Sequence, residues 1–359
     1  MELTRERLAA WCGRMLPDAS GIELSDLSAP GSTGFSNDTL LFDLSWTRKD
    51  GRAHCESLVA RIQPTGFRVF PDYDLDLQFR VQSILADTPV PVARMFWQES
   101  DPSVLGAPFY VMERVEGQIP TDNPPYHVGG WVTEIRPQDR QAIWWSGLDV
   151  MSEIHRLDWK ALGFGFLDQP EKGATPLAQE LANYAAYLEW ARRGRSAPIC
   201  QPALEWLQGN QPSEEEPVRL CWGDARIGNM IFREFRCVAV LDWEMVTLGN
   251  PVKDLAWYLF LDHHHSAGID APRLEGFPGR EATLARWEDR TGLSTRHVAY
   301  YETYAAFRFS VIMMRLAQSM QHYGFMAEDS SFEIDNIPSR LLAKRLDLQT
   351  PAEAAKSWP

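Results

Sequence analysis

The sequence is poor in positive charge. Lysine and arginine number 35 against 49 aspartates and glutamates, a formal net charge of −14. That balance argues against a nucleic acid or an anionic membrane as the main partner, because either needs a basic footprint. It mildly favours cationic or neutral ligands. No apolar run approaches the length of a membrane span. The first 17 residues are charged and amphipathic, without the uninterrupted apolar core and small-residue cleavage site of a secretory leader. The five cysteines are odd in number, dispersed and without a C-x-x-C pair. They read as free thiols of a reducing compartment, so a cytoplasmic protein is expected. Internal repeats and low-complexity tracts are missing as well. What is present, 359 residues of which 45% are hydrophobic, can bury a large core and favours two lobes over one.

The chemistry concentrates in residues 220–250, LCWGDARIGNMIFREFRCVAVLDWEMVTLGN. Two apolar runs, Val218–Cys221 and Cys237–Leu241, have the length and composition of short buried strands. Asp224 follows a glycine in a tight turn, Asn229 precedes the apolar Met230–Phe232, and Asp242 closes the second strand. A hairpin that brings carboxylate, carboxamide and carboxylate together makes a hard-oxygen site suited to Mg²⁺, beside a group able to accept a hydroxyl proton. The order D-x-x-x-x-N, strand, Asp is the one that kinase-type phosphoryl transfer requires. The bland alternative is an ordinary strand pair with polar turns.

WGDARIGN and LDWEMVTLGNPVKDLAW resemble the catalytic segment of the aminoglycoside phosphotransferase and choline-kinase-like family. That segment reads approximately HGD-x-x-x-x-N followed by a D-W-E or D-F-E turn, and Trp222 stands in the usual histidine position. The resemblance implies an α+β, bilobal protein-kinase-like fold. A small β-rich lobe, residues 1–113, would bind the nucleotide, and a larger, mainly helical lobe, residues 114–359, would carry catalysis and substrate. ATP, with GTP not excluded, and Mg²⁺ would lie between them. Asp224 would take the proton of the acceptor hydroxyl, while Asn229 and Asp242 hold the metal. Asp254, in a G-x-P-x-x-D-L-A context, would brace the loop through backbone hydrogen bonds.

Other stretches fall in the family's order. Gly31, Ser32, Thr33 and Gly34, with Ser36, form a small polar turn before a strand alternating through Leu40, Phe42 and Leu44. The kinase-like reading makes this the loop over the phosphates; alone, it is equally a plain hairpin turn. On the strand SLVARIQ, residues 57–63, related enzymes place a phosphate-binding lysine. Here Arg61 stands in for it, with a permanent charge and a donor fork matched to phosphate. A helix from about Asp74 to Ala86 puts Gln78 where the family has a glutamate, leaving Asp74 or Asp76 as alternative partners for Arg61. The strand PFYVMERV, residues 108–115, would be the hinge, where backbone groups of Glu113 and Val115 hold adenine; judged alone it is a buried strand with a polar end.

Helices are expected from Thr4 to Met15, Pro137 to Leu157, Thr175 to Arg193, within 295–324, and from Ile334 to Leu348. His155 reads as a packed structural histidine. Arg192, Arg193 and Arg195 suit a helix C-terminus, or else a phosphate-bearing substrate tail. His263, His264 and His265 lack the spacing of a chelating pair. The expected partner is a small hydroxylated molecule that receives the γ-phosphoryl group. Two alternatives stand beside it: a kinase for a hydroxyacyl-CoA or other apolar hydroxylated metabolite, suggested by the aromatic stretch from Tyr126 to Trp145, and a catalytically weak nucleotide-binding pseudokinase, suggested by Trp222, Arg61 and Gln78.

Overall fold

The computed structural model describes residues 2–29, 38–212 and 217–356. The candidate phosphate loop at Gly31, Ser32, Thr33 and Gly34 lies outside the described residues. The chain divides into two compact units.

The first unit comprises Met1–Arg68 and Asp72–Glu116. It contains α1 (Glu2–Met15), β1 (Ser20–Leu24), β2 (Asp38–Thr47), β3 (Ala53–Ile62), α2 (Leu75–Leu85), β4 (Met95–Glu99) and β5 (Phe109–Glu113). The strands form one antiparallel sheet in the order β1-β2-β3-β5-β4. Period-two alternation assigns its faces. Leu58, Ala60 and Ile62 of β3 join Trp11, Phe42, Leu44, Phe109 and Val111 in one buried cluster. Val59 turns the other way, toward Leu75, Tyr110 and Met112. Thus α1 covers one face and α2 the other. α1 begins ahead of the expected Thr4 cap, because Glu2 in its first turn already suits the positive end of a helix.

The second unit comprises Val69–Pro71 and Gly117–Pro359. Its elements are α3 (Trp131–Glu134), α4 (Pro137–Arg156), α5 (Pro176–Arg192), α6 (Cys200–Gly209), β6 (Arg219–Cys221), β7 (Met230–Arg233), β8 (Arg236–Val240), β9 (Thr247–Gly249), α7 (Val252–His264), α8 (Arg280–Thr291), α9 (Val298–His322), α10 (Ile337–Leu346) and α11 (Pro351–Ala355). Apolar stripes explain the long members. α4 buries Ile143, Trp144, Leu148, Met151 and Ile154, and α9 is buried along most of its length, packing against α5, α6, α7 and α10. The sequence reading has no counterpart for α6 and α8. α8 buries only Thr283, Leu284 and Trp287, too narrow a stripe to stand out in a polar segment. Among the described residues, no helix is long and apolar enough to cross a membrane.

One expectation is corrected. The strands before Asp224 and Asp242 do not form a hairpin with each other: β6 pairs with β9, and β8 pairs with β7. The reason is the turn between Arg233 and Arg236. Glu234 and Phe235 adopt φ of 50° and 63°, and positive φ at both central positions gives the two-residue turn whose twist matches antiparallel strands. The β7–β8 hairpin is therefore inserted between the two aspartates.

Candidate active site

The turn between β6 and β7 can be built from Gly223. Its φ is +94°, and a Cβ there would lie 1.9 Å from the Met245 carbonyl oxygen. Only glycine fits. The N–H groups on this turn would be left unpaired inside the protein if nothing met them. Asp254, in the first turn of α7 and fully buried, accepts both, from Trp222 N at 2.6 Å and Gly223 N at 3.0 Å. His155 Nε2 lies 3.1 Å from Asp254 Oδ2, and His155 Nδ1 accepts the Trp287 indole N–H at 3.0 Å. Because Nδ1 is the acceptor, the proton sits on Nε2 and is donated to Asp254. Burial alone would raise the Asp254 pKa, yet the bonds from His155 and Gly223 and the nearby Lys253 hold it below the usual carboxylate value. Two sequence readings meet here, the packed histidine and the bracing aspartate, and they are one hydrogen-bonded chain.

Asp224 follows immediately. Its Oδ1 accepts the Trp257 indole N–H at 2.7 Å, and its Oδ2 accepts Asn229 Nδ2 at 2.6 Å and Arg226 Nε at 3.2 Å. Arg226 also pairs with Asp122. Although burial works against its charge, the two carboxylates push the guanidinium pKa further up. Asp242 is tied to the same turn through the backbone. Leu241 N donates to Asn229 O at 2.8 Å, and Trp222 Nε1 donates to Leu241 O at 2.9 Å and to Asp242 O at 3.1 Å. Asp242 itself has φ of 60°, so the chain turns sharply just past β8. Asp224 and Asn229 are thus joined by their side chains, Asn229 to the strand end of Asp242 by the backbone, and Trp222 ties that strand end to Asp254.

In the first unit, Arg61 stands opposite Thr39 on β2 and Tyr110 on β5. Directly opposed residues share a face, here the one covered by α2. Arg61 Nη1 lies 3.5 Å from Thr39 Oγ1. Gln78 is buried, and its Oε1 accepts the Tyr110 hydroxyl at 3.2 Å. Asp74 caps α2 by accepting from Leu77 N at 2.7 Å, and Asp76 accepts from Gln98. Glu113 ends β5 with its N–H on Arg94 O at 2.8 Å, and Val115 packs against the cluster around Tyr110 and Met112.

Two other sequence candidates have ordinary roles. Arg192 is engaged by Glu189, and Arg195 by Glu333. Among the described residues no group of His, Cys, Asp or Glu has the arrangement of a metal site. Burial pushes His264 down to about 3 and His265 down to about 4, so both are neutral side chains of the interior. Sequence reasoning missed Arg226, Trp257 and Asp122. Arg226 lies inside the D-x-x-x-x-N segment and Trp257 inside DLAW, so a nearby signal existed for both; Asp122 had none.

A model of the phosphotransferase enzyme family that includes the aminoglycoside phosphotransferases matches residues 30–287. The chain belongs to this family. Its fold is likewise that of solved members. A candidate aminoglycoside phosphotransferase from Ralstonia eutropha superposes with a TM-score of 0.67 at 24% identity, over 99% of this chain and 98% of that one. Aminoglycoside phosphotransferase APH(4)-Ia, in a ternary complex with AMP-PNP and hygromycin B, gives 0.55 at 13% identity, over 95% and 96%. Among curated relatives, human acyl-CoA dehydrogenase family member 11 is 31% identical over 208 residues, 56% of this phosphotransferase-family chain and 25% of the relative. The mouse protein of that name is 29% identical over 247 residues, 66% and 30%. The chain thus spans about a quarter to a third of the length of these curated relatives.

Proposed function

We propose that this family member moves the γ-phosphoryl group of ATP to a hydroxyl of a small molecule. The observation that carries the proposal is the joining of Asp224, Asn229 and Asp242 through one part-buried network of side-chain and backbone hydrogen bonds. Asp224 accepts the hydroxyl proton as the hydroxyl oxygen bonds to the γ-phosphorus and the bond to the β-phosphate bridge breaks. Asn229 commits its Nδ2 to Asp224, which leaves Oδ1 to face a cation. With the Asp242 carboxylate this is a hard-oxygen donor set that fits Mg²⁺. Bound there, Mg²⁺ would neutralise phosphate charge. Arg61 is assigned to the nucleotide phosphates, and backbone groups of Glu113 and Val115 to the base. Positioning and charge neutralisation supply most of the rate.

The test is Asp224→Asn. Removing a general base costs about 10²–10⁴-fold in turnover, while calorimetric titration with Mg-ATP should give an unchanged affinity. Retained turnover would sink the assignment.

A second reading concerns the acceptor. The curated relatives are named for acyl-CoA dehydrogenases, which favours a hydroxyacyl-CoA or another apolar hydroxylated metabolite. Arg192 pairs with Glu189 and Arg195 with Glu333 within the fold, which lessens the support that cluster lent to a phosphate-rich tail. ATP consumption measured against hydroxyacyl-CoAs, hydroxylated metabolites and aminoglycosides separates these acceptors. Binding of Mg-ATP without turnover on any of them would favour the pseudokinase.

A further inference from the structure

We propose that Arg308, on α9, is a positioning residue that fixes the Asp224 carboxylate through Trp257 and the carbonyl of Gly223. The inference rests on the phosphotransfer role given to Asp224 above. Arg308 is only 3% exposed. Among the described residues none of its hydrogen-bond partners is a carboxylate: Nη2 donates to Gly223 O at 3.1 Å, and Nε to the Tyr184 hydroxyl at 3.0 Å. The guanidinium carbon lies 4.6 Å from the centre of the Trp257 ring, 5.4 Å from that of Tyr184 and 5.5 Å from that of Tyr304.

A buried cation is expensive when no carboxylate bonds it directly, so what it does with its donors matters. One donor holds the carbonyl of the residue before Asp224. The guanidinium lies over the indole whose N–H holds Asp224 Oδ1 at 2.7 Å. A cation on the ring face is attracted to it and fixes the plane of the indole, and with it the direction of that N–H. Asp254 already fixes the N–H groups of the turn; Arg308 fixes its carbonyl and, at one remove, its carboxylate. The turn is therefore clamped from two helices, α7 and α9. The second clamp comes from a residue 85 positions beyond Gly223.

The test uses the full chain and three variants. In Arg308→Ala the hydrolysis of Mg-ATP, with water as acceptor, should fall about 10–100-fold in kcat, the scale of a misplaced catalytic group. KM for ATP should stay within about twofold, because the lost interaction serves the transition state. Added guanidinium ion should restore part of the rate. Arg308→Lys should stay slow, since a point cation cannot both hold the carbonyl and cover the ring; it also carries the comparison if the alanine variant does not fold. Trp257→Phe keeps a ring face but removes the N–H, and should show the same kcat-only loss. A readout independent of turnover is the Trp257 indole N–H resonance in ¹⁵N-labelled protein, identified by its disappearance in Trp257→Phe. It should move in Asp224→Asn and again in Arg308→Ala or Arg308→Lys. An unmoved resonance in the Arg308 variants, or wild-type kcat in a folded one, overturns the proposal. If the wild-type protein hydrolyses no ATP, the phosphotransfer reading is put in question separately, and the resonance still decides the role of Arg308.

Discussion

Replacing His155 by leucine isolates what the polar chain behind the Asp224 turn contributes. His155 and Asp254 are both fully buried, and so is Trp287. Leucine fills much of the ring's volume but leaves Asp254 Oδ2 without its imidazole donor and the Trp287 N–H without an acceptor. Losing a hydrogen bond to a buried charged group costs about 1.5–3 kcal/mol, and an orphaned buried donor about 1–3 kcal/mol. Asp254 keeps its two backbone donors, which places the expected loss in the lower part of the combined range, about 3–4 kcal/mol. Equilibrium urea unfolding followed by circular dichroism reads this as a lower midpoint at unchanged slope. A double-mutant cycle with Asp254→Asn should give a coupling of about 1–3 kcal/mol. The pH dependence adds a check. The Asp254 pKa is lowered in the folded protein, so its contribution is present above the unfolded value of about 3.9 and is lost as pH falls through the folded one. The deficit of His155→Leu should therefore shrink in that acid range. A loss under about 1 kcal/mol at neutral pH, the size of an ordinary substitution, would refute the reasoning: the backbone donors alone would then suffice.

Three other outcomes follow from the geometry. Gly223→Ala places a Cβ 1.9 Å from Met245 O in a left-handed backbone; the conformation alone costs about 1–2 kcal/mol and the clash adds to it, so thermal unfolding should shift clearly downward, and an unchanged melting temperature contradicts the turn. Burial depresses His264 to about 3 and His265 to about 4, so the unfolded chain takes up protons first as pH drops below about 6.5. Stability should then fall between pH 6.5 and 5 by up to about 1.4 kcal/mol per unit for each histidine, a trend that His264→Gln and His265→Gln should flatten. Arg61→Ala removes a charged donor from the proposed phosphate site, a loss of about 1.5–3 kcal/mol; calorimetry should show the weaker ATP binding, and an unchanged affinity removes Arg61 from that role.

The parts of the fold visible in the sequence are those with strong local patterns. β2 alternates through Leu40, Phe42 and Leu44, and α4 and α9 carry broad apolar stripes, so each was placed to within a few residues. Strand pairing was less legible. The apolar runs at β6 and β8 were real, but which strands they pair with was decided by positive φ at Glu234 and Phe235, neither of them a residue that advertises such a turn. At the candidate site, Asp224, Asn229 and Asp242 were legible because they sit in one short segment. Arg308 and Asp122 were not, because each reaches that segment from far away in the chain. Periodicity reports which face of a helix is buried, not which of its polar residues is aimed at a distant turn.

Trp222 bears on whether the chain's departures from the family pattern weaken its site. A histidine is usual at this position, and its replacement by tryptophan first suggests a lost polar group. The indole is fully buried, and its N–H is not idle: it reaches the carbonyls of Leu241 and Asp242. Its backbone N–H meanwhile is held by Asp254. One residue thus links the aspartate that braces the turn to the strand end that carries Asp242. A residue that had drifted in a decaying site would have no reason to bridge both halves of the motif, since a buried N–H left unmet costs stability and an apolar side chain would pack without that burden. The substitution is therefore better understood as a different way of fastening Asp224 to Asp242, and it weighs on the side of a working phosphotransfer site.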